Sequence, residues 1–213
     1  MTLKAAGTMT QDDLVSRYDA AATWWQSMIY RLGYRAAYED LIARALPDLE
    51  PETVVDVGTG SGDLAAAYCL QNGPPASLTL IDMSPEMLNV AQSSVAGHAG
   101  QLNCVVSTLD DLKIDNSFDL VLCGHLIEHT PDPTRALGQL SKLLASHGTM
   151  LLLVSRPHWC QWFVWIKWRH RWFSRTRLRK MAQSVGLETA TVFALSSGPP
   201  SRTSFAYLLR WQK

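Results

Sequence analysis

Apolar residues recur every three or four positions near the start of the chain, at Leu14, Tyr18, Ala21, Ala22, Trp25, Met28 and Ile29, and again at Tyr38, Leu41, Ile42 and Leu46. That spacing predicts two amphipathic helices within residues 11–46, broken near Gly33 and ended by Pro47. Residues 1–10 read as a loose tail. From Thr53 onward the pattern changes to short apolar runs separated by helical spacings. Strands are expected at 53–57, 77–81, 102–106, 118–123 and 148–155, with helices at 61–72, 84–95 and 132–145. A helix at 174–185 stops at Gly186, and strands near 188–195 and 204–211 follow. Alternating strands and helices predict an α/β fold around a mostly parallel sheet.

The first strand runs into Asp56-Val57-Gly58-Thr59-Gly60-Ser61-Gly62. Alternating glycines let the backbone turn tightly and approach a ligand, because no Cβ intervenes. Backbone N–H groups at the start of the following helix then face an anionic or polar group. The second strand, Leu78-Thr79-Leu80-Ile81, ends at Asp82, whose carboxylate suits the two hydroxyls of a ribose. The pattern therefore points to a nucleoside cofactor. The dinucleotide fingerprint needs a sixth-position glycine, and here that position is Asp63, which excludes the nicotinamide reading.

The glycine triplet with Asp56 before it resembles motif I of the class I S-adenosylmethionine-dependent methyltransferases, the type 11 group among them. Leu80-Ile81-Asp82-Met83-Ser84-Pro85-Glu86-Met87-Leu88 resembles the segment after that family's second strand. Asn116 to Cys123 is similar to its fourth strand, and Leu126-Ile127-Glu128-His129 to the segment that follows. The resemblance covers roughly residues 15–195. It implies a Rossmann-like, mostly parallel seven-stranded sheet with one antiparallel strand, helices on both faces and an N-terminal helical lid. The chain is then one domain, with a tail and lid over 1–46, the methyltransferase domain over 47–213, and a Trp/Arg-rich insertion at 157–173.

The cofactor implied is S-adenosyl-L-methionine. By resemblance, backbone at Gly58, Thr59, Gly60 and Gly62 holds its methionine part, and Asp56 reaches its ammonium through water. Asp82 takes the ribose hydroxyls and Met83 packs on the adenine, while Ser84 and Pro85 are better suited to start a helix. After the third strand the family often has Gly-Asp, where this chain has Ser107-Thr108-Leu109. The Thr108 hydroxyl or Asp110 is the substitute expected at the adenine, with the Leu109 N–H as a further donor. Cys123, Gly124 and His125 end the fourth strand against the methionine end of the cofactor.

On the acceptor side, His125 is a candidate general base because imidazole titrates near neutral pH. Its other reading is a pocket-shaping backbone position. Arg156 and His158, just past the fifth strand, are expected to face the acceptor, and Tyr18 sits on the lid that keeps water out. His129 reads as a packing residue. Glu128 reads as pointing away from both histidines, and no set of side chains has metal-ligand spacing, so no metal is expected.

The chain carries no net charge, but residues 1–132 hold 6 Lys/Arg against 18 Asp/Glu and residues 133–213 hold 13 against 1. The halves can neutralise each other in one fold, or the second can face an anionic partner. Five of the eight tryptophans lie in 158–173, among Lys167, Arg169 and Arg171. Trp159, Trp162, Trp165 and Trp168 are three apart, so they spread around a helix instead of forming one apolar face. A cap on the acceptor pocket is preferred, with peripheral membrane contact or plain packing as the other readings. A net charge of zero and the lack of an RNA-binding module argue against a nucleic-acid partner. Four cysteines without C-x-x-C spacing, and no visible signal peptide, suit a cytoplasmic protein. The acceptor is expected to be a small or lipophilic molecule. A non-catalytic cofactor- or membrane-surface-binding protein is the alternative, and the oligomeric state is not readable.

Overall fold

The computed structural model describes residues 31–47, 49–114, 117–158 and 171–212. Helix α1 (Tyr34–Ala45) precedes β1 (Thr53–Val57), α2 (Asp63–Asn72), β2 (Ser77–Asp82), α3 (Pro85–Ser94) and β3 (Gln101–Val106). Then come β4 (Phe118–Gly124), a single 3-10 turn (Ile127–His129), α4 (Pro133–Lys142) and β5 (Leu144–Ser155). Helix α5 (Arg175–Ser184), β6 (Leu187–Ala194), the short α6 (Pro200–Thr203) and β7 (Ser204–Trp211) complete the described chain.

The described strands form one seven-stranded sheet in the order β3-β2-β1-β4-β5-β7-β6. β1 through β5 are parallel, and β7 inserts antiparallel between β5 and β6. The chain works outward from β1 to β3, then returns to lay β4 on the other side of β1. The crevice above β1 and β4 is therefore the switch point where ligands bind in such sheets. Both faces are covered. One core joins α1, α2 and α3 to Val54, Leu80, Leu122 and Leu153, and the other joins α4 and α5 to Val55, Val121, Leu152 and Tyr207. Burial on both sides explains why the central strands read as continuous apolar runs.

Local signals set the helix starts. Ser84 caps α3, accepting from Met87 N at 3.0 Å, with Pro85 at the first helical position. Asp132 does the same for α4, accepting from Thr134 N at 3.0 Å and Arg135 N at 3.1 Å. Two boundaries differ from the sequence pattern. α2 begins at Asp63, because Gly62 takes a left-handed φ of 79° and stays in the loop. β5 begins at Leu144, within the expected helix 132–145, because Phe118 pairs with Leu144 before the register shifts to Leu120 with Thr149. Most of the proposed lid, with Tyr18, and residues 159–170 of the tryptophan-rich segment lie outside the described residues.

Candidate active site

The loop after β1 is held by the end of β2. Gly58 N and Thr59 N both donate to Ile81 O, at 2.8 and 3.0 Å. Asp82 then clamps two backbone groups, accepting from Gly60 N at 2.8 Å through Oδ2 and from Ser84 N at 3.0 Å through Oδ1. The carboxylate read from sequence as a ribose ligand thus also fixes the glycine loop. Gly58, Gly60 and Gly62 all adopt positive φ, at 70°, 53° and 79°. Their surroundings differ. A Cβ on Gly60 would meet nothing within 4 Å, whereas one on Gly62 would stand 2.8 Å from Ala91 Cα in α3. Gly60 faces open space, and Gly62 permits the close packing of α2 on α3. At Gly58 a Cβ would come within 3.1 Å of the Leu126 side chain, so the loops after β1 and β4 touch across the switch point.

Asp56 lies beneath this loop, only 1% exposed. It accepts from Thr59 Oγ1 at 2.8 Å and from the backbone N–H of Ala65. Burial pushes its carboxyl up to about 7, against the pull of those two bonds and with help from the Asp82 and Asp63 charges. Asp56 therefore braces the loop from below. Met83 is half-buried beside Asp82, and Cys123 is fully buried.

The adenine side departs from expectation. Thr108 Oγ1 donates to Asp111 Oδ2 at 2.7 Å and accepts from Asp111 N at 3.1 Å, closing its own turn. Asp110 pairs with Arg135 at 3.1 Å and accepts from Gln139 at 3.1 Å. Both side chains offered as substitutes at the adenine are thus engaged elsewhere. Leu109 is half-buried against the second core.

The acceptor side holds the larger correction. His125 follows β4 with φ 57°, the only described non-glycine residue with positive φ. That conformation costs about 1–3 kcal/mol and persists only where the surroundings enforce it. Here His125 N donates to Leu153 O at 2.9 Å, and the ring Nδ1 lies 2.9 Å from Glu128 Oε1. Glu128 does not point away. The 3-10 turn at 127–129 swings it back, 2% exposed, and the same Oε1 accepts from Ser155 N at 3.0 Å. Burial alone would push the Glu128 carboxyl up, but the His125 hydrogen bond, the charges of His125 and His129 and the Ser155 bond together hold it below the usual range. Burial pushes His129 down, against the Glu128 charge, as suits a packing residue. Ser155 Oγ and Ser204 Oγ flank the ring, 3.5 Å from Nδ1 and 3.4 Å from Nε2. Glu128, Ser155 and Ser204 are the site residues that sequence reasoning missed. The available signal was the i,i+3 spacing of His125 and Glu128.

Arg156, expected at the acceptor, is tied to backbone carbonyls of α6. Its guanidinium donates to Arg202 O at 2.7 Å and Ser201 O at 3.2 Å and stacks 4.6 Å over the Phe205 ring. It pins α6 and the start of β7. His158 is half-buried just beyond β5, and Tyr18 lies outside the described residues. Among the described residues no three His, Cys, Asp or Glu side chains gather as a metal site, and no helix is long and apolar enough to cross a membrane.

This loop, switch point and strand order define a nucleoside-binding α/β fold of the methyltransferase type. A family model described as "Methyltransferase domain" matches residues 30–192, and the chain belongs to that family, the class I S-adenosylmethionine-dependent methyltransferases. A ubiquinone biosynthesis O-methyltransferase of Xanthomonas oryzae pv. oryzae (strain PXO99A) is 30% identical over 158 residues, covering 71% of this chain and 64% of that relative. One of Xanthomonas campestris pv. campestris (strain B100) is 35% identical over 101 residues, covering 46% and 41%. The chain thus spans less than two thirds of the curated relatives it matches. Among solved structures, the magnesium protoporphyrin IX methyltransferase of Synechocystis PCC 6803 has a TM-score of 0.74 at 17% identity over 94% of this chain and 100% of that one. The 1,6-didemethyltoxoflavin-N1-methyltransferase of Burkholderia thailandensis has a TM-score of 0.73 at 16% identity over 100% and 94%. These two likenesses concern the fold.

Proposed function

We propose that this chain moves a methyl group from S-adenosyl-L-methionine to a hydroxyl of a small or lipophilic acceptor. The observation that carries the reading is the glycine loop at the switch point, clamped by Asp82 and open above Gly60, which a Cβ would fill. When bound there, S-adenosyl-L-methionine supplies an electrophilic methyl group on a sulfonium sulfur. The chain's own contribution is to hold, orient and exclude water. Backbone at Gly58–Gly60 holds the methionine part, Asp82 the ribose, and Met83 and Leu109 the adenine. His125 receives the acceptor's proton. The relatives named for O-methylation favour oxygen as the acceptor atom. A phenol, with an ordinary pKa of about 10, needs only modest help from a base at neutral pH. Buried free thiols at Cys69 and Cys123 suit a reducing cytoplasm.

Calorimetry is expected to show binding of S-adenosylmethionine and S-adenosylhomocysteine but not of nicotinamide dinucleotides. Asp82→Asn should weaken binding about tenfold or more, because a ribose ligand and a loop clamp are lost together. Turnover on a panel of phenols, thiols, amines and lipid head groups then identifies the acceptor. Tight cofactor binding with no transfer to any class would favour the non-catalytic alternative. A second reading, peripheral membrane contact through 158–173, draws support from α5, where Arg175, Arg177, Arg179 and Lys180 are all exposed. Binding to anionic vesicles that weakens with salt tests it.

A further inference from the structure

We propose that Glu128 is a positioning residue that holds His125 in its Nδ1–H tautomer, so that Nε2 is the atom offered to the acceptor's proton. This rests on the methyltransferase reading above. His125 leaves β4 in a left-handed conformation that its N–H bond to Leu153 O fixes, so the direction in which the ring leaves the backbone is set. Glu128 Oε1 meets Nδ1 at 2.9 Å, and that same oxygen is anchored by Ser155 N at 3.0 Å. The end of β5, and not a mobile rotamer, therefore sets where the ring must donate.

An ionised carboxylate can only accept, and a neutral imidazole carries one N–H. With Nδ1 committed to Glu128, Nε2 keeps its lone pair. Ser204 Oγ lies 3.4 Å from Nε2, long for a strong bond. A hydroxyl there can donate to the idle lone pair and accept once the ring is charged. The exposures also fit a working pair. Glu128's side chain is 1% exposed, but that of His125 is 25% exposed, so the buried carboxylate holds a ring that stays partly open to solvent.

The step balances as follows. The acceptor's O–H bond breaks, its proton goes to Nε2, and the electron pair stays on oxygen for attack on the methyl carbon. The imidazolium then faces the Glu128 carboxylate, and it returns the proton to water on product release. In the other tautomer Nε2 would present an N–H, and the proton would have nowhere to go. A general base of this kind contributes on the order of 100-fold or more in rate.

The test begins with the protein free of cofactor, labelled with 15N-histidine, with the His125 signals assigned by their loss in H125Q. The neutral ring is expected to carry its proton on Nδ1 in the wild type and to lose that preference in Glu128→Gln. With a hydroxyl acceptor, E128Q should lower kcat by about 30-fold or more while the KM for S-adenosylmethionine stays within twofold, and Glu128→Asp should recover part of the loss. In the H125Q background, E128Q should cost nothing further. A wild-type ring protonated on Nε2 would overturn the proposal, and so would an equal loss from E128Q in the H125Q background. If E128Q fails to fold, the wild-type spectrum still decides the tautomer. Absence of any transfer by the wild type would overturn the methyltransferase reading instead, and the proton step with it.

Discussion

Gly60→Ala is expected to leave folding nearly intact and to abolish cofactor binding, while Gly62→Ala does the reverse. Both residues have positive φ, so both variants carry backbone strain of about 1–2 kcal/mol. At Gly60 that is the whole folding cost, because the new methyl meets nothing within 4 Å. On the proposed reading that space receives the cofactor's backbone contacts, so affinity should fall by about 100-fold or more, which is about 3 kcal/mol. At Gly62 the methyl would sit 2.8 Å from Ala91 Cα and 3.0 Å from Ala91 Cβ. Neither atom belongs to a flexible side chain, so α2 and α3 must separate. A loss of about 2–4 kcal/mol is expected from strain plus overpacking. Thermal denaturation paired with titration calorimetry separates the two. Equal melting losses with equal affinity losses would show that the glycines share one role.

The second large effect concerns pH. Asp56 is buried with its carboxyl raised to about 7, whereas an unfolded chain titrates near its ordinary value of 3.8. Between those values the folded protein holds a proton that the unfolded chain has released. The stabilisation is therefore complete below about pH 4 and is lost as pH rises through about 7, levelling off above. The span corresponds to on the order of 4 kcal/mol. Denaturant unfolding of wild type and Asp56→Asn across pH 4–8 checks this. The difference between the two curves should change by that amount over the window, whatever the variant's absolute stability. Parallel curves would mean that the Asp56 carboxyl is not protonated in the fold.

The sheet and cofactor loop were legible because their signals are local. Apolar runs mark strands buried on both faces, and the triplet Gly58, Gly60, Gly62 announces a turn no other residues make at that spacing. Ser84 and Asp132 mark helix starts by capping chemistry that needs only their neighbours. The acceptor side was not legible because it depends on distant register. Glu128 meets His125 only through a left-handed residue followed by a 3-10 turn, and neither leaves a periodic trace. Arg156 is tied to carbonyls 45 and 46 residues away. Thr108 is captured by Asp111 in a turn that the missing Gly-Asp pair made hard to foresee. Leu144 continues a helical spacing, yet its pairing with Phe118 puts it in the sheet.

The place of β7 between β5 and β6 also has a bearing on biosynthesis. Residues 204–211 are made after every other described strand, yet they fill an interior slot, with Ser155 opposite Ser204. Until they emerge from the ribosome, β5 has no neighbour on that side and β6 has no path into the sheet. Without β7 the sheet also lacks the strand that brings Ser204 beside His125. On the proposed reading, the cofactor loop and the surroundings of the proton acceptor are therefore completed by different parts of the chain, and the acceptor side needs the last described strand.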